Sequence, residues 1–179
     1  MLSVMHYDSP VGKLLIAGQD DALVGIWMEG QKYYLGSLGK EEQREEETTV
    51  LRCTKEWLDR YFKGEKPSVG CLSIRPSGSR FQKEVWKILC EIPYGEVTTY
   101  GGIAKQIAAR QGLSSMSAQA VGGAVGHNPI SIVIPCHRVV GADGSLTGYA
   151  GGIEKKRKLL ALEGVDQKHL FVPARGSAL

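Results

Sequence analysis

No stretch of about eighteen apolar residues occurs anywhere in the 179-residue chain, which leaves no candidate for a membrane-spanning helix. The opening MLSVMHYDSPVGKL lacks the basic-then-apolar pattern of a secretory signal, so a cytoplasmic location is expected. The four cysteines, Cys53, Cys71, Cys90 and Cys136, stand without any C-x-x-C spacing. In a reducing compartment such a set reads as free thiols rather than disulfides. Zinc needs clustered Cys and His, and neighbours such as Cys136 and His137 rarely ligate one tetrahedral ion, so neither a metal nor another cofactor is expected. Internal repeats and low-complexity tracts are absent as well. What remains is an ordinary globular composition, 42% hydrophobic and 23% charged, long enough for one medium domain or two small ones.

The net charge of +3 says little by itself, but its distribution is uneven. Residues 1–75 carry ten Lys and Arg against twelve Asp and Glu, and residues 76–179 carry twelve against seven. A polyanion, if one binds, is expected on the second half.

The first part reads as short strands, Ser3–Tyr7, Lys13–Gly18 and Leu23–Met28, joined by turn-forming Ser-Pro-Val-Gly and Gln-Asp-Asp. The acidic stretch 36–47 is expected as an exposed loop or helix start. Val50, Leu51, Thr54, Trp57, Leu58, Tyr61 and Phe62 recur at helical spacing up to Gly64. Cys71–Ile74 suits a returning strand, and residues 76–78 a linker. Ser79 with Gln82 forms a capping box, opening a helix with the stripe Phe81, Val85, Ile88, Leu89 and Ile92. Pro93-Tyr94-Gly95 ends it. Thr98 or Thr99 caps a second helix bearing Ile103, Ala104, Ile107 and Ala108, and a polar turn leads to a third around Ser117–Val125. This pair suits a helix-turn-helix. The third helix is nearly all Ala, Gly, Ser and Val, so its backbone can approach another surface closely. An extended run is expected at Ile130–Ile134, a turn at Ala142–Ser145 and a last helix at Glu154–Leu162, followed by a tail without clear period. The fold class is therefore α+β: a strand-rich α/β domain over 1–75 that braces the rest, a helix-turn-helix domain over 79–165, and a tail over 166–179.

Pro135-Cys136-His137-Arg138-Val139 is the segment richest in chemistry. A cysteine attacks as thiolate, and an unperturbed pKa of about 8.5 leaves a few per cent ionised at neutral pH. Bringing that value near 7 takes roughly 2 kcal/mol, which an imidazole, an arginine or backbone N–H groups can supply. A carboxylate behind the imidazole would orient it. Glu96, Asp143, Glu154 and Glu163 all lie in this half, and spacing does not choose among them.

The string Ile134-Pro135-Cys136-His137-Arg138-Val139-Val140 resembles the active-site signature of the O6-alkylguanine-DNA alkyltransferases. Phe81–Trp86, Ile92–Tyr100, Ala120–Ala124, Asn128-Pro129 and Gly148–Gly152 follow in that family's order and spacing, so the likeness spans about residues 79–165. Residues 1–75 resemble the family's N-terminal domain only in layout.

The resemblance implies a winged helix-turn-helix that enters the minor groove of double-stranded DNA with little sequence preference and flips the target nucleotide out. It implies a single-turnover protein, acting as a monomer, that takes an alkyl group from O6-alkylguanine onto Cys136. Flipping is needed because the O6 carbon of a stacked, paired guanine is out of reach of a protein sulfur. His137 matches the base that deprotonates the cysteine through a water, and Glu163 the carboxylate that holds it. Tyr100 matches the phenol that protonates N3 of the departing guanine. Asn128 matches a hinge before the active-site strand, while Tyr149 and Ala150 match the loop walling the base pocket. Gln119, Ala120, Gly123, Arg138 and Val139 fall at substrate or DNA contacts. Many family members carry an arginine where this chain has Gln119; the shorter, uncharged side chain implies weaker flipping with the chemistry intact.

Lys155-Lys156-Arg157-Lys158 forms a basic run at the start of the last helix, either a phosphate-facing patch or a solvated face. Two other classes compete: a DNA-binding regulator with Cys136 as sensor, and a cysteine hydrolase. The first would need a dimer interface, for which no dedicated helix is evident. The second places its Cys and His apart in sequence.

Overall fold

Tight turns after Ser9 and Gln19 fold the first three strands back on one another. The computed structural model describes residues 1–173, and strand β1 (Leu2–Ser9), β2 (Gly12–Gln19) and β3 (Ala22–Met28) form an antiparallel meander. A short strand, β4 (Gln43–Glu45), pairs parallel with β1, giving the order β3-β2-β1-β4. β4 falls in the acidic stretch expected as a loop or helix start. Its residues carry no apolar alternation, because an exposed edge strand needs none.

The run Leu14–Ala17 is buried throughout, as a strand covered on both faces must be. Helix α1 (Thr49–Phe62), capped by Thr48, lies against the meander and buries Val50, Leu51, Trp57, Leu58 and Tyr61. A side chain at Gly18 would meet Val50 Cγ1 at 2.8 Å, so glycine there is what lets the helix approach. On the other side Leu2, Val4, Leu15, Ala17, Val24 and Trp27 cluster under Leu35 and Leu38.

Packing divides the chain into two units. The first joins Met1–Ser77 with Pro129–Val133; the second holds Gly78–Asn128 and the chain from Ile134 onward. Residues 129–133, inside the expected 79–165 domain, pack with the first unit. Ile26 donates to the Pro129 carbonyl (2.9 Å) and accepts from Ser131 (3.1 Å), while Leu23 pairs likewise with Ser73 and Arg75, both at 2.8 Å. These segments cover the edge of β3. Each expected strand there, Cys71–Ile74 and Ile130–Ile134, shrinks to an isolated bridge. The reason at the second is local: Ile132 sits at φ +72°, which breaks extension. A β-branched residue in that region is strained by about 1–3 kcal/mol.

In the second unit, α2 (Arg80–Cys90) opens on the expected capping box, with Ser79 accepting from Gln82 at 3.1 Å and the Gln82 side chain accepting from Ser79 at 2.9 Å. α3 (Tyr100–Gln111) is capped by Thr99, and α4 (Ala118–Gly126) by Ser117. The Trp86 indole donates to the Ala124 carbonyl (2.9 Å), tying α2 to α4. A two-stranded parallel pair, β5 (Thr98–Thr99) with β6 (Val139–Val140), sets the start of α3 beside the chain leaving Cys136. α5 (Ile153–Leu162) packs Leu160 with Val140 and Leu146, joined by Leu170. Part of the tail is thus pinned: Leu146 donates to Phe171 (2.8 Å). The remainder, 174–179, lies outside the described residues. Among the described residues no helix is long and apolar enough to cross a membrane.

Candidate active site

Cys136, His137 and Arg138 occupy one turn of 3-10 helix that follows Pro135. The β5–β6 pairing brings Tyr100 to this turn, and Glu163 is the C-cap residue that follows α5. His137 is fully buried, with Nε2 at 2.5 Å from Glu163 Oε2. Glu163 Oε1 accepts from Arg138 Nε (2.7 Å) and from the Gly95 N–H (3.1 Å), and Oε2 also accepts from Arg138 Nη2 (3.1 Å). Of the four carboxylates left open by the sequence, the fold brings Glu163 to the histidine.

Protonation follows from these contacts. Burial pushes the Glu163 carboxyl up, but the His137 and Arg138 hydrogen bonds and charges outweigh it and hold the group well below the usual carboxylate range. Burial lowers His137, more than Glu163 raises it. The imidazole is therefore neutral at pH 7 beside a carboxylate that only accepts. Nε2 must carry the proton, and Nδ1 keeps a lone pair. Nδ1 is buried and has no protein partner. A neutral, oriented base with a free lone pair is what proton abstraction requires.

Cys136 corrects one expectation. Burial pushes its thiol up from the usual value, against the Asn128 side-chain hydrogen bond and the Lys156 charge, which lower it. At 6% exposure the resting sulfur is a thiol, not a standing thiolate, so ionisation has to accompany reaction. Asn128 is buried and also donates to the Ile134 carbonyl (2.8 Å), bracing the segment that leads to Cys136.

Tyr100 donates to the Thr147 carbonyl at 2.8 Å, and burial raises its phenol to about 12. It stays a proton donor across the physiological range. Tyr149 is buried with an unpartnered hydroxyl, while Ala150 is half-buried. Gly148, between Thr147 and Tyr149, sits at φ +74°, and a Cβ there would lie 2.7 Å from the Tyr100 hydroxyl. Gly148→Ala is expected to cost about 1–3 kcal/mol of stability, by strain and by displacing Tyr100. Urea unfolding checks this; an unmoved midpoint would mean that the loop yields freely.

The Arg138 guanidinium bonds Glu163 and the Ile92 carbonyl (2.7 Å), and Val139 is buried. Inside a protein an arginine between such acceptors acts as an orienter. Gln119, Ala120 and Gly123 are exposed on α4, one turn apart on its outer face, with open space around Gly123. Lys156, read above as part of a surface patch, is fully buried and donates to the Val139 (2.5 Å) and Thr147 (2.8 Å) carbonyls. The signal for it was present: Lys156, Leu159, Leu160 and Glu163 share the spacing of one buried helix face. Among the described residues no three His, Cys, Asp or Glu side chains gather to hold a metal.

Chemically, the site combines a thiol, a neutral base, a phenol donor and a buried ammonium. It suits transfer of a carbon electrophile to sulfur, and nothing in it hydrolyses the resulting thioether.

Comparison with known proteins agrees along both units. Residues 80–165 match the family profile described as 6-O-methylguanine DNA methyltransferase, DNA binding domain, and residues 4–76 match its ribonuclease-like domain. The methylated-DNA–protein-cysteine methyltransferase of Haemophilus influenzae is 41% identical over 88% of this chain and 84% of its own. The Mycolicibacterium paratuberculosis protein of that name is 44% identical, covering 91% and 93%. A crystal structure of Mycobacterium tuberculosis OGT in complex with DNA superposes with a TM-score of 0.78 at 41% identity, over 90% of this chain and 93% of that one. With identity at this level running through both units, the chain belongs to the methylated-DNA–protein-cysteine methyltransferase family.

Proposed function

We propose that this protein repairs DNA directly, moving an alkyl group from O6 of guanine to the Cys136 sulfur in one irreversible turnover. The observation that carries this reading is the His137–Glu163 pair, which leaves Nδ1 as a free base in the same turn as the thiol. As Sγ attacks the O6 carbon, the thiol proton passes to His137 Nδ1 through a water, and Glu163 balances the imidazolium. The C–O6 bond breaks as the S–C bond forms, and Tyr100 gives its proton to N3 of the leaving guanine. A neutral leaving base departs far more easily than an anion, which is the use of a phenol kept protonated in a dry site.

Double-stranded DNA as the partner is supported by the DNA-binding domain match and by the likeness to a chain crystallised with DNA. The outer face of α4 is the proposed minor-groove surface. Its small side chains admit the backbone closely and offer little for reading base edges, in keeping with lesion repair at any sequence. The loop of Tyr149 and Ala150 walls the pocket for the extruded base. The protein is proposed to work as a cytoplasmic monomer.

Intact-mass measurement on a duplex carrying one O6-methylguanine tests the reading. One added methyl per chain, abolished by Cys136→Ala, supports it. Repeated turnover with no mass change would point to a hydrolase, and no reaction to a regulator; either overturns it. Gln119→Arg is expected to speed transfer on duplex DNA several-fold, on the order of 1 kcal/mol, by filling the gap behind the flipped base. An unchanged or slower rate refutes this.

A further inference from the structure

The segment 165–172 contains neither helix nor strand, yet backbone bonds hold it at both ends. Val165 donates to the Leu160 carbonyl (3.0 Å) at the close of α5. At the far end Phe171 donates to the Gly144 carbonyl (3.2 Å) and accepts from Leu146 (2.8 Å), so the tail pairs with the chain leaving the 142–145 turn. Between these ends Leu170 packs with Val140, Leu146 and Leu160. A Cβ on Gly144 would lie 2.1 Å from the His169 carbonyl oxygen, so the tail crosses the turn in space that no larger residue would leave.

We propose that this tail is a strap that positions the base-pocket loop, with Leu170 as its anchor. The proposal deepens the alkyl-transfer reading and rests on it. Leu146 is the last residue the tail grips before the chain runs irregularly through Thr147, Gly148, Tyr149 and Ala150. That run carries two working parts: the Thr147 carbonyl, which accepts the Tyr100 hydroxyl at 2.8 Å, and the buried Tyr149 side chain of the pocket wall. It belongs to no strand ladder, and an irregular segment opens at little cost unless its flanks are fixed. Gly152, donating to the Tyr149 carbonyl (3.0 Å), fixes the far flank; the tail, through Leu146, fixes the near one. Because Lys156 also holds the Thr147 carbonyl (2.8 Å), Tyr100 keeps its seat when the strap is released, and the wall is what loosens. A wall already in place costs nothing to order when the extruded base arrives.

The test uses the full-length protein with Leu170→Ala, which removes the anchor, and Phe171→Pro, which deletes the N–H that Gly144 accepts while its side chain is 45% exposed. Leu170→Met, of similar volume, is the conservative control. Saturated single-turnover transfer on an O6-methylguanine duplex is expected to fall about tenfold in the first two and to stay within about twofold in Leu170→Met. Affinity for unmodified duplex should stay within about twofold throughout, because the loop meets only the extruded base. Hydrogen exchange separates positioning from general loss of fold: amides of 147–152 should exchange about tenfold faster in the first two variants while those of α2 stay as in the wild type. Wild-type transfer in Leu170→Ala and Phe171→Pro overturns the proposal, as does a loss residing wholly in DNA affinity or an α2 that loosens along with the loop. Should the wild type itself transfer nothing, the repair reading falls and the exchange contrast alone decides the strap.

Discussion

Glu163→Gln is expected to slow alkyl transfer by on the order of 10³–10⁴-fold, the scale seen when an orienting carboxylate behind a catalytic histidine is neutralised. The cause is specific. Glu163 fixes the His137 tautomer by accepting from Nε2, and an amide placed there can instead present an N–H, which would turn the ring's lone pair to the wrong side. The same change is expected to cost about 3–5 kcal/mol of stability, because it leaves the Arg138 guanidinium buried with its charge unanswered. The two effects separate in a double variant. Adding Arg138→Met removes the orphaned charge, so Glu163→Gln/Arg138→Met should regain most of the stability while transfer stays slow. Urea unfolding and single-turnover kinetics on the same preparations read both. A loss in rate under tenfold, or a double variant that recovers rate together with stability, would show that Glu163 only holds the fold.

How much of this arrangement could be read from sequence depends on the range over which each interaction acts. The capping box at Ser79 and Gln82 closes within one turn of helix, and it was legible because nothing distant contributes to it. The three-strand meander was legible for a similar reason: turn residues and strand lengths fix it locally. Ile130–Ile134 misled because a run of Ile and Val says only that the segment is buried. Its conformation is set by the edge of β3, more than a hundred residues earlier. β4 carries no apolar signal, since its place is fixed by backbone bonds to β1.

At the candidate site, Cys136 and His137 stood out from a string of seven residues, whereas the pairing of Glu163 with His137 was implied only by family resemblance. Charge misled at Lys156, which was read within a basic surface run because charged residues usually face solvent, whereas its ammonium is turned inward onto backbone carbonyls. The direction of the Cys136 shift was not readable either, since it is decided by burial, a property of the folded chain.

Acid is expected to destabilise the protein in two stages, the first beginning near pH 6.5. His137 is lowered from its ordinary 6.5 in the folded chain, chiefly by burial, so the unfolded chain binds its proton more readily. The stability this group contributes is complete above 6.5 and is lost as pH falls toward the folded value. Glu163, lowered from 4.5, acts with the same sign further down: its contribution is complete above 4.5 and falls away below. A single strongly paired carboxylate of this kind accounts for about 2–3 kcal/mol. Lys156 works at the alkaline end. Lowered from 10.5 to about 8, it adds stability as pH rises between those values. Urea midpoints measured from pH 7.5 down to 4 should therefore decline from about 6.5 and steepen below 4.5, whereas transfer, which needs His137 neutral, should hold its rate to below pH 6.5 wherever the chain stays folded. A midpoint that holds or rises between pH 6.5 and 5 would mean that the native state takes up the proton at least as well as the unfolded chain. His137 would then be a cation beside Glu163, with no lone pair on Nδ1, and the base on which the transfer depends would be gone.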